Sequence, residues 1–182
     1  MPFADQLTVA RAAAAPVVVL LYAVRFGGHD YWATVLFCVA MSTDWFDGRI
    51  ARRSGRASSF GSLLDPVADK VLVLAALVVL LDQRVFPAWM VAAIVGRELL
   101  VSGLRLAALE RGVVIAARDL GKLKTWSQAV AAAVGGFAAA GAWSNAVSWW
   151  FLLLAVALSW VSGLDYARSA PRVLRGRAVA AP

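Results

Sequence analysis

The sequence has few charged residues and almost no cysteine. Only 16% of its 182 residues are Asp, Glu, Lys or Arg, whereas a soluble domain averages about 25%. The single cysteine, Cys38, lies in an apolar run and excludes an internal disulfide framework. No basic patch with interleaved aromatic residues is visible, so nucleic-acid binding is not favoured. Low charge and a 62% share of hydrophobic residues predict a protein that crosses a membrane several times.

Six apolar stretches are long enough to cross a hydrocarbon core as helices. We predict spans at about residues 7–24, 31–51, 60–81, 88–109, 123–140 and 146–164, followed by a basic tail at 165–182. No repeat, low-complexity linker or soluble region is visible between them. The chain has no basic segment before its first apolar stretch, so we expect a first membrane helix and not a cleaved signal peptide. The sequence therefore predicts a single all-α integral membrane domain over residues 1–182.

The positive charges predict which side of the membrane each loop occupies. If the N-terminus is cytoplasmic, only Arg25 and Arg84 of the 18 Lys and Arg residues fall on the outer side. Such an excess marks cytoplasmic loops. Trp143, Trp149 and Trp150 then lie near the outer surface, where aromatic belts form. We expect a multi-pass protein of the plasma (inner) membrane, whose basic tail is attracted to anionic headgroups or serves only as a topology signal.

Four aspartates lie at the predicted cytoplasmic ends of spans two and three. Asp44 and Asp47 are three residues apart and Asp65 and Asp69 are four apart, so each pair shares a helix face. Four unpaired carboxylates repel one another, and an ionisable residue within a span is costly. Carboxylate oxygens are ligands that suit Mg²⁺ or Mn²⁺. The spacing predicts a divalent-cation site in a polar cavity that faces the cytoplasm.

Structural explanations for this segment remain open. Arg49, Arg52 and Lys70 are close enough in sequence to form ion pairs with the aspartates. The small residues Gly48 and Ala51 share the face of the first aspartate pair, where they serve helix packing, a ligand that approaches the backbone, or both.

The pattern D-x2-D-G-x2-A-R-x8-G-x3-D-x3-D, from Asp44 to Asp69, resembles the signature of the CDP-alcohol phosphotransferase family at every fixed position. The resemblance implies six membrane helices around a cytoplasm-facing site, a homodimer, two divalent cations (Mg²⁺ or Mn²⁺) and a CDP-linked lipid donor. It also implies transfer of the phosphatidyl group to an alcohol with release of CMP. The implied metal ligands are Asp44, Asp47, Asp65 and Asp69, and Asp69 would also deprotonate the acceptor hydroxyl. The implied CDP-lipid contacts are Asp5, Thr8, Gly48, Ala51, Arg52 and Ser58.

Five basic residues downstream predict a site for a phosphorylated acceptor: Arg97, Arg105, Arg118, Lys122 and Lys124. Arg97 and Arg105 are eight residues apart, about two helical turns, and roughly share a face. Arginine and lysine are the usual ligands of a phosphate group. Two structural alternatives remain: the last three residues act only as topology signals, and Glu98 pairs with Arg97 or Arg105.

The segments R-E-x2-V-S-G-L-R, G-K-x-K-T and L-L-D-P-V-A-D-K resemble the subfamily that uses glycerol 3-phosphate. We therefore expect an enzyme that forms phosphatidylglycerophosphate and CMP from CDP-diacylglycerol and glycerol 3-phosphate. The alternatives are the same chemistry with inositol phosphate, serine or a second lipid, a divalent-cation transporter, and a membrane scaffold without chemistry. Nothing acidic in the sequence lines a path from the aspartates to the outer face, which disfavours a transporter.

Overall fold

Six α-helices make up the part of the chain that the computed structural model describes: the backbone of residues 3–54, 59–110 and 119–174, and the side chains of residues 10–43, 70–108 and 121–168. The helices are α1 (Phe3–Ala23), α2 (His29–Ser54), α3 (Ser59–Asp82), α4 (Ala88–Glu110), α5 (Asp119–Ala139) and α6 (Asn145–Leu174). Each overlaps one predicted span, and these ranges contain no strand, so the predicted all-helical fold is confirmed.

One helical segment in the described part of the chain, Asn145–Arg168, has the length and apolar composition of a membrane span. A shorter apolar segment, Ala10–Ala23, lies in α1. The number of membrane crossings and the side that each loop faces stay predictions.

The helix ends differ from the predicted spans. α1 begins at Phe3 and not near residue 7, and α5 begins at Asp119 and not near residue 123. α6 continues to Leu174, so the first part of the predicted tail is helical. Hydropathy marks where the apolar sequence stops, whereas a helix continues into polar residues as long as its backbone hydrogen bonds are made.

Residues in the left-handed region of the backbone separate the helices at one end of the bundle. Gly28 lies between α1 and α2 with φ 78°, and Gly141 follows α5 with φ 82°. After Gly141, the amide of Ala142 donates to the carbonyl of Phe137 (2.9 Å), which closes the helix in a Schellman motif. α3 ends in the same way with Arg84 at the left-handed position (φ 59°). Glycine adopts this conformation without steric cost, whereas arginine does not.

In the described part of the chain, α3 packs against α1, α2, α4 and α5. α6 packs against α4 and α5, and α2 packs against α1 and α5. Gly136 allows the close approach of α5 to α2, because a Cβ atom there would overlap the side chain of Thr34 and lie only 2.5 Å from the hydroxyl of Tyr22. Large apolar side chains are fully buried between the helices: Phe37, Leu72, Leu77, Leu80, Met90, Ile94 and Leu152.

The turns after α1, α3 and α5 lie together at what we call the turn end. Gln83 donates a hydrogen bond to Asp30 Oδ1 (2.8 Å), and the ring centroids of Tyr31 and Phe137 are 5.9 Å apart. These contacts join the start of α2 to the ends of α3 and α5. The second half of α2 and the first half of α3 therefore lie toward the opposite end of the bundle.

α6 has a polar inner face and an apolar outer face. Ser148 and Ser159 are fully buried and Ser162 is nearly so. The exposed face carries Trp150, Leu154, Val161 and Leu164, each more than half exposed. Small polar residues between helices and apolar residues outside are the pattern expected of a helix whose outer face contacts lipid.

Candidate functional site

α2 and α3 carry the four predicted metal ligands. Asp44 and Asp47 lie in the second half of α2, and Asp65 and Asp69 lie in the first half of α3. The two helices contact each other and both pack against α1. The predicted pairs are therefore on neighbouring helices, with each pair at helical spacing.

Two of these aspartates lie at the same depth in the bundle. Asp30 and Gln83 are hydrogen-bonded at the turn end. Asp44 follows Asp30 by fourteen residues on α2, and Asp69 precedes Gln83 by fourteen residues on α3. At a rise of 1.5 Å per residue, both backbone positions lie about 21 Å from the turn end. Carboxylates supply hard oxygen atoms, so the residue types at these four positions would suit a divalent cation.

The side chains of the four aspartates lie outside the described side chains. The same holds for the predicted CDP-lipid contacts Asp5, Thr8, Gly48, Ala51, Arg52 and Ser58, and for the predicted phosphate ligand Arg118. Their roles stay predictions.

A buried carboxylate holds two of the predicted phosphate-binding residues. Glu98 Oε1 accepts hydrogen bonds from Arg97 Nη1 (2.9 Å) and from Lys124 Nζ. Lys70 Nζ lies 3.9 Å from the other oxygen, Oε2. We call these four residues the Glu98 cluster. It joins α3, α4 and α5, and the structural alternative that Glu98 pairs with Arg97 or Arg105 is confirmed for Arg97.

Neutral polar side chains support the Glu98 cluster. Lys70 donates to Ser102 Oγ on α4 (2.8 Å), and Arg97 Nη2 donates to Ser162 Oγ on α6 (3.2 Å). Gln128 on α5 donates to Ser159 Oγ (3.3 Å) and lies 3.4 Å from Glu98 Oε1. Four helices therefore fix the side chains of the cluster, which reduces the freedom that a bound ligand would otherwise have to remove.

The Glu98 cluster has more positive than negative charge. The side chains of Arg97, Glu98 and Lys124 are 6%, 4% and 7% exposed, whereas that of Lys70 is 35% exposed. Three cations share one carboxylate, so the cluster has a net charge of +2 in its ordinary protonation state. Buried charge is unfavourable without partners, and a surplus of one sign attracts a counter-ion.

The Glu98 cluster adjoins the predicted metal site along the chain. Lys70 follows Asp69 in α3, so their Cα atoms are about 3.8 Å apart. The arrangement can therefore attract an anion close to the last of the four aspartates.

The structure brings together only part of the predicted phosphate site. Arg97 and Lys124 meet at Glu98. Arg105 lies two turns further along α4, with its guanidinium carbon 6.0 Å from the ring centroid of Tyr166. Lys122 is exposed. The proposal that all of these residues bind one phosphate stays untested.

Lys70, Ser102, Gln128 and Ser162 were not predicted to belong to this site. Lys70 was considered only as an ion-pair partner of the aspartates, and its described contacts are instead with α4. One signal was present in the sequence: Ser102 and Gln128 lie four residues after Glu98 and Lys124, so each shares a helix face with a charged residue in an apolar helix.

Comparison with known proteins gives a consistent result. The model of the family described as CDP-alcohol phosphatidyltransferase matches residues 1–161. The chain is similar to the CDP-diacylglycerol–glycerol-3-phosphate 3-phosphatidyltransferase of Bacillus subtilis (strain 168), with 50% identity over 97 residues, 53% of this chain and 50% of the relative. It is also similar to the protein of that name from Escherichia coli (strain K12), with 40% identity over 133 residues, 70% of this chain and 72% of the relative. The alignment thus spans about half the length of the Bacillus relative.

Proposed function

Since the chain belongs to the CDP-alcohol phosphatidyltransferase family, we propose that it transfers the phosphatidyl group of CDP-diacylglycerol to glycerol 3-phosphate and releases CMP. Membership confirms the resemblance carried by the segment from Asp44 to Asp69. The names of the two relatives state this donor and this acceptor. The observation that carries the proposal is the Glu98 cluster, which has a surplus of two positive charges and whose Lys70 follows Asp69 in α3.

The acceptor phosphate fits the charge of the Glu98 cluster. A phosphate monoester carries a charge of about −1.5 to −2 at neutral pH, which matches the surplus of the cluster. Glycerol and serine lack this charge, whereas inositol phosphate has it, and the names of the relatives favour glycerol 3-phosphate over inositol phosphate. We therefore propose that the phosphate of glycerol 3-phosphate binds at the cluster and that one of its two free hydroxyl groups extends toward Asp69.

The chemical step is an in-line displacement at phosphorus. The acceptor hydroxyl oxygen forms a bond to the lipid-side phosphorus of CDP-diacylglycerol, and the bond from that phosphorus to the CMP oxygen breaks. The hydroxyl proton goes to the carboxylate of Asp69, and the bond electrons leave with CMP. The protein acts chiefly by holding the hydroxyl and the phosphorus in line, since positioning accounts for much of such a rate enhancement.

Two divalent cations, Mg²⁺ or Mn²⁺, would be held by Asp44, Asp47, Asp65 and Asp69. When bound, they would neutralise the donor pyrophosphate and the charge that develops on the leaving phosphate. Arg52 and Ser58 would donate hydrogen bonds to the same phosphates, and Gly48 and Ala51 would leave room for the nucleotide.

We propose that the enzyme works in the plasma membrane with its site facing the cytoplasm, as a homodimer. The large exposed side chains of α4 and α6 support a lipid surround: Leu99, Leu100, Leu106, Trp150, Leu154 and Leu164 are 52–67% exposed. Apolar surface of this extent is unusual on a soluble monomer. Thiol labelling of Arg84→Cys and Arg168→Cys, each in a Cys38→Ser background, tests the orientation. The two sites should label from opposite sides of sealed membrane vesicles, and labelling from the same side would contradict the topology.

The activity is tested by CMP release from the purified protein supplied with CDP-diacylglycerol, Mg²⁺ or Mn²⁺, and one acceptor at a time. Glycerol 3-phosphate should give the fastest release in a panel that also contains glycerol, inositol phosphate, serine and phosphatidylglycerol. No release with any acceptor and either cation would refute the function. A faster reaction with an uncharged acceptor would refute the role of the Glu98 cluster.

The base is tested with Asp69→Asn. This variant should release no CMP above background while its thermal unfolding midpoint stays near that of the wild type. Asp82→Asn is the matched control, because Asp82 is an exposed residue at the turn end of the same helix. Normal turnover by Asp69→Asn would exclude Asp69 as the base.

A further inference from the structure

We propose that Glu98 is a positioning residue for the acceptor: it gathers Lys70, Arg97 and Lys124 from three helices into one cationic site next to Asp69. This inference rests on the proposed function and deepens it. The Glu98 carboxylate and the acceptor phosphate are both negatively charged, so Glu98 does not bind the acceptor. It acts through the cations that it holds.

The geometry requires a shared partner. Arg97 Nη1 and Lys124 Nζ both donate to the same atom, Glu98 Oε1, and Lys70 approaches Oε2. Three cations this close together repel one another, most strongly where water is excluded. Glu98 has the central position in the cluster, and each cation loses its common counter-charge if Glu98 is neutralised.

Among the described side chains, the cluster has more positive charge than Glu98 needs as a partner. A single buried cation would satisfy Glu98, and well-packed apolar side chains are often as stabilising as buried ion pairs. Here one carboxylate collects three cations from α3, α4 and α5. The side chains of Arg97, Glu98 and Lys124 are 93–96% buried. The net charge of +2 on the cluster is suited to a ligand of opposite charge.

The cluster is accessible at Lys70. Its side chain is 35% exposed, whereas those of Arg97 and Lys124 are almost fully buried. An ammonium group has three N–H donors, so the hydrogen bond to Ser102 does not exhaust it. The acceptor phosphate therefore meets Lys70 first, while Glu98 and Ser102 fix the direction of its ammonium group relative to Asp69.

The test measures the Michaelis constants of Glu98→Gln and Glu98→Asp. Initial rates of CMP release are measured while glycerol 3-phosphate is varied at saturating CDP-diacylglycerol, and then the reverse. Glu98→Gln should raise the KM for glycerol 3-phosphate at least about tenfold, equivalent to about 1.4 kcal/mol. The KM for CDP-diacylglycerol should change less than about twofold. Glu98→Asp keeps the charge and should recover part of the loss, and Asp82→Asn should behave as the wild type.

Several outcomes would overturn the inference. An unchanged or lowered KM for glycerol 3-phosphate in Glu98→Gln would show that Glu98 does not position the cations or that it competes with the acceptor. Equal increases of both KM values would show a general structural role. If Glu98→Gln fails to fold, Glu98→Asp gives the test, because its shorter side chain draws the carboxylate away from the three cations; its KM for glycerol 3-phosphate should rise about threefold or more, and no rise refutes the inference. A wild-type protein that releases no CMP refutes the proposed function itself, whereas an active wild type with an unaffected Glu98→Gln refutes only this step.

Discussion

Replacing Lys124 by glutamine should damage both the stability of the protein and its use of glycerol 3-phosphate. The side chain of Lys124 is 7% exposed and its ammonium group donates to Glu98 Oε1. Lys122, two residues earlier on α5, is exposed. Sequence reasoning assigns the same role to both lysines, so the pair of variants separates the effect of position in the structure from the effect of charge alone.

The loss of stability in Lys124→Gln depends on which partners the Glu98 carboxylate keeps. A hydrogen bond to a charged group contributes about 1.5–3 kcal/mol. The larger loss of about 3–5 kcal/mol, seen when a buried ion is left alone, does not apply because Arg97 stays 2.9 Å from Glu98. At about 2–4 °C per kcal/mol for a chain of this length, Lys124→Gln should lower the unfolding midpoint by roughly 3–12 °C.

The kinetic effect should be selective. Lys124→Gln lowers the surplus charge of the Glu98 cluster from two to one, so the KM for glycerol 3-phosphate should rise about tenfold. Lys122→Gln should change it about twofold or less, because exposed charges interact weakly with their surroundings.

The assay combines thermal unfolding in detergent with CMP release at varied glycerol 3-phosphate. The reasoning is refuted if Lys124→Gln and Lys122→Gln change the unfolding midpoint and the KM for glycerol 3-phosphate equally. The burial of Lys124 beside Glu98 would then affect neither quantity. A larger effect of Lys122→Gln would place the phosphate site on the exposed side of α5.

Two glycines make further predictions. Gly136→Ala should destabilise the protein by about 1–3 kcal/mol through overpacking, because its Cβ would overlap Thr34 and lie 2.5 Å from the hydroxyl of Tyr22; the unfolding midpoint measures this. Gly163→Ala should raise the KM for glycerol 3-phosphate about twofold to fivefold, because its Cβ would lie 3.1 Å from Arg97 Nε and displace the guanidinium. CMP release measures both KM values, and the KM for CDP-diacylglycerol should change little.

Alanine at glycines with open surroundings provides the controls. Gly121 is on the same helix as Gly136, and a Cβ atom added there would have no neighbouring atom within 4 Å. The same holds for Gly27, in the turn between α1 and α2. Gly121→Ala should leave the midpoint unchanged or raise it, since alanine favours the helix by about 0.5–1 kcal/mol over glycine. A midpoint that falls equally in Gly121→Ala and Gly136→Ala would contradict the packing explanation.

The helices could be predicted because their signals are local. Runs of apolar residues, with glycine or proline in the turns at residues 27–28, 87 and 141, identify six segments. The positions of the helix ends were predicted less accurately. Nothing in the hydropathy of residues 165–174 distinguishes a helical extension of α6 from a tail, since both are polar.

The candidate site was predictable only in part, because it is assembled from distant segments. The spacing of the four aspartates is local, and α2 and α3 carry them as expected. The position of Lys124 at Glu98, over a separation of 26 residues, depends on how α4 and α5 each pack against α3 and α6. Both Arg97 and Arg105 are candidate partners of Glu98 in the sequence, and Glu98 pairs with the adjacent Arg97, whereas Arg105 is seven residues, about 10 Å, further along the same helix.

α6 has a polar inner face and an apolar outer face. For this reason, a change in its number of residues should disturb the structure more than an exchange of side chains on its outer face. An inserted residue between Ser148 and Ser159 would rotate the following half of the helix by about 100°. Ser159 and Ser162 would then leave Gln128 and Arg97, and a hydrophobic residue would take their place. Exchanges among bulky apolar residues on the outer face leave these contacts intact. Natural variants of this chain should therefore vary freely in outward side chains of α6 and rarely in its number of residues.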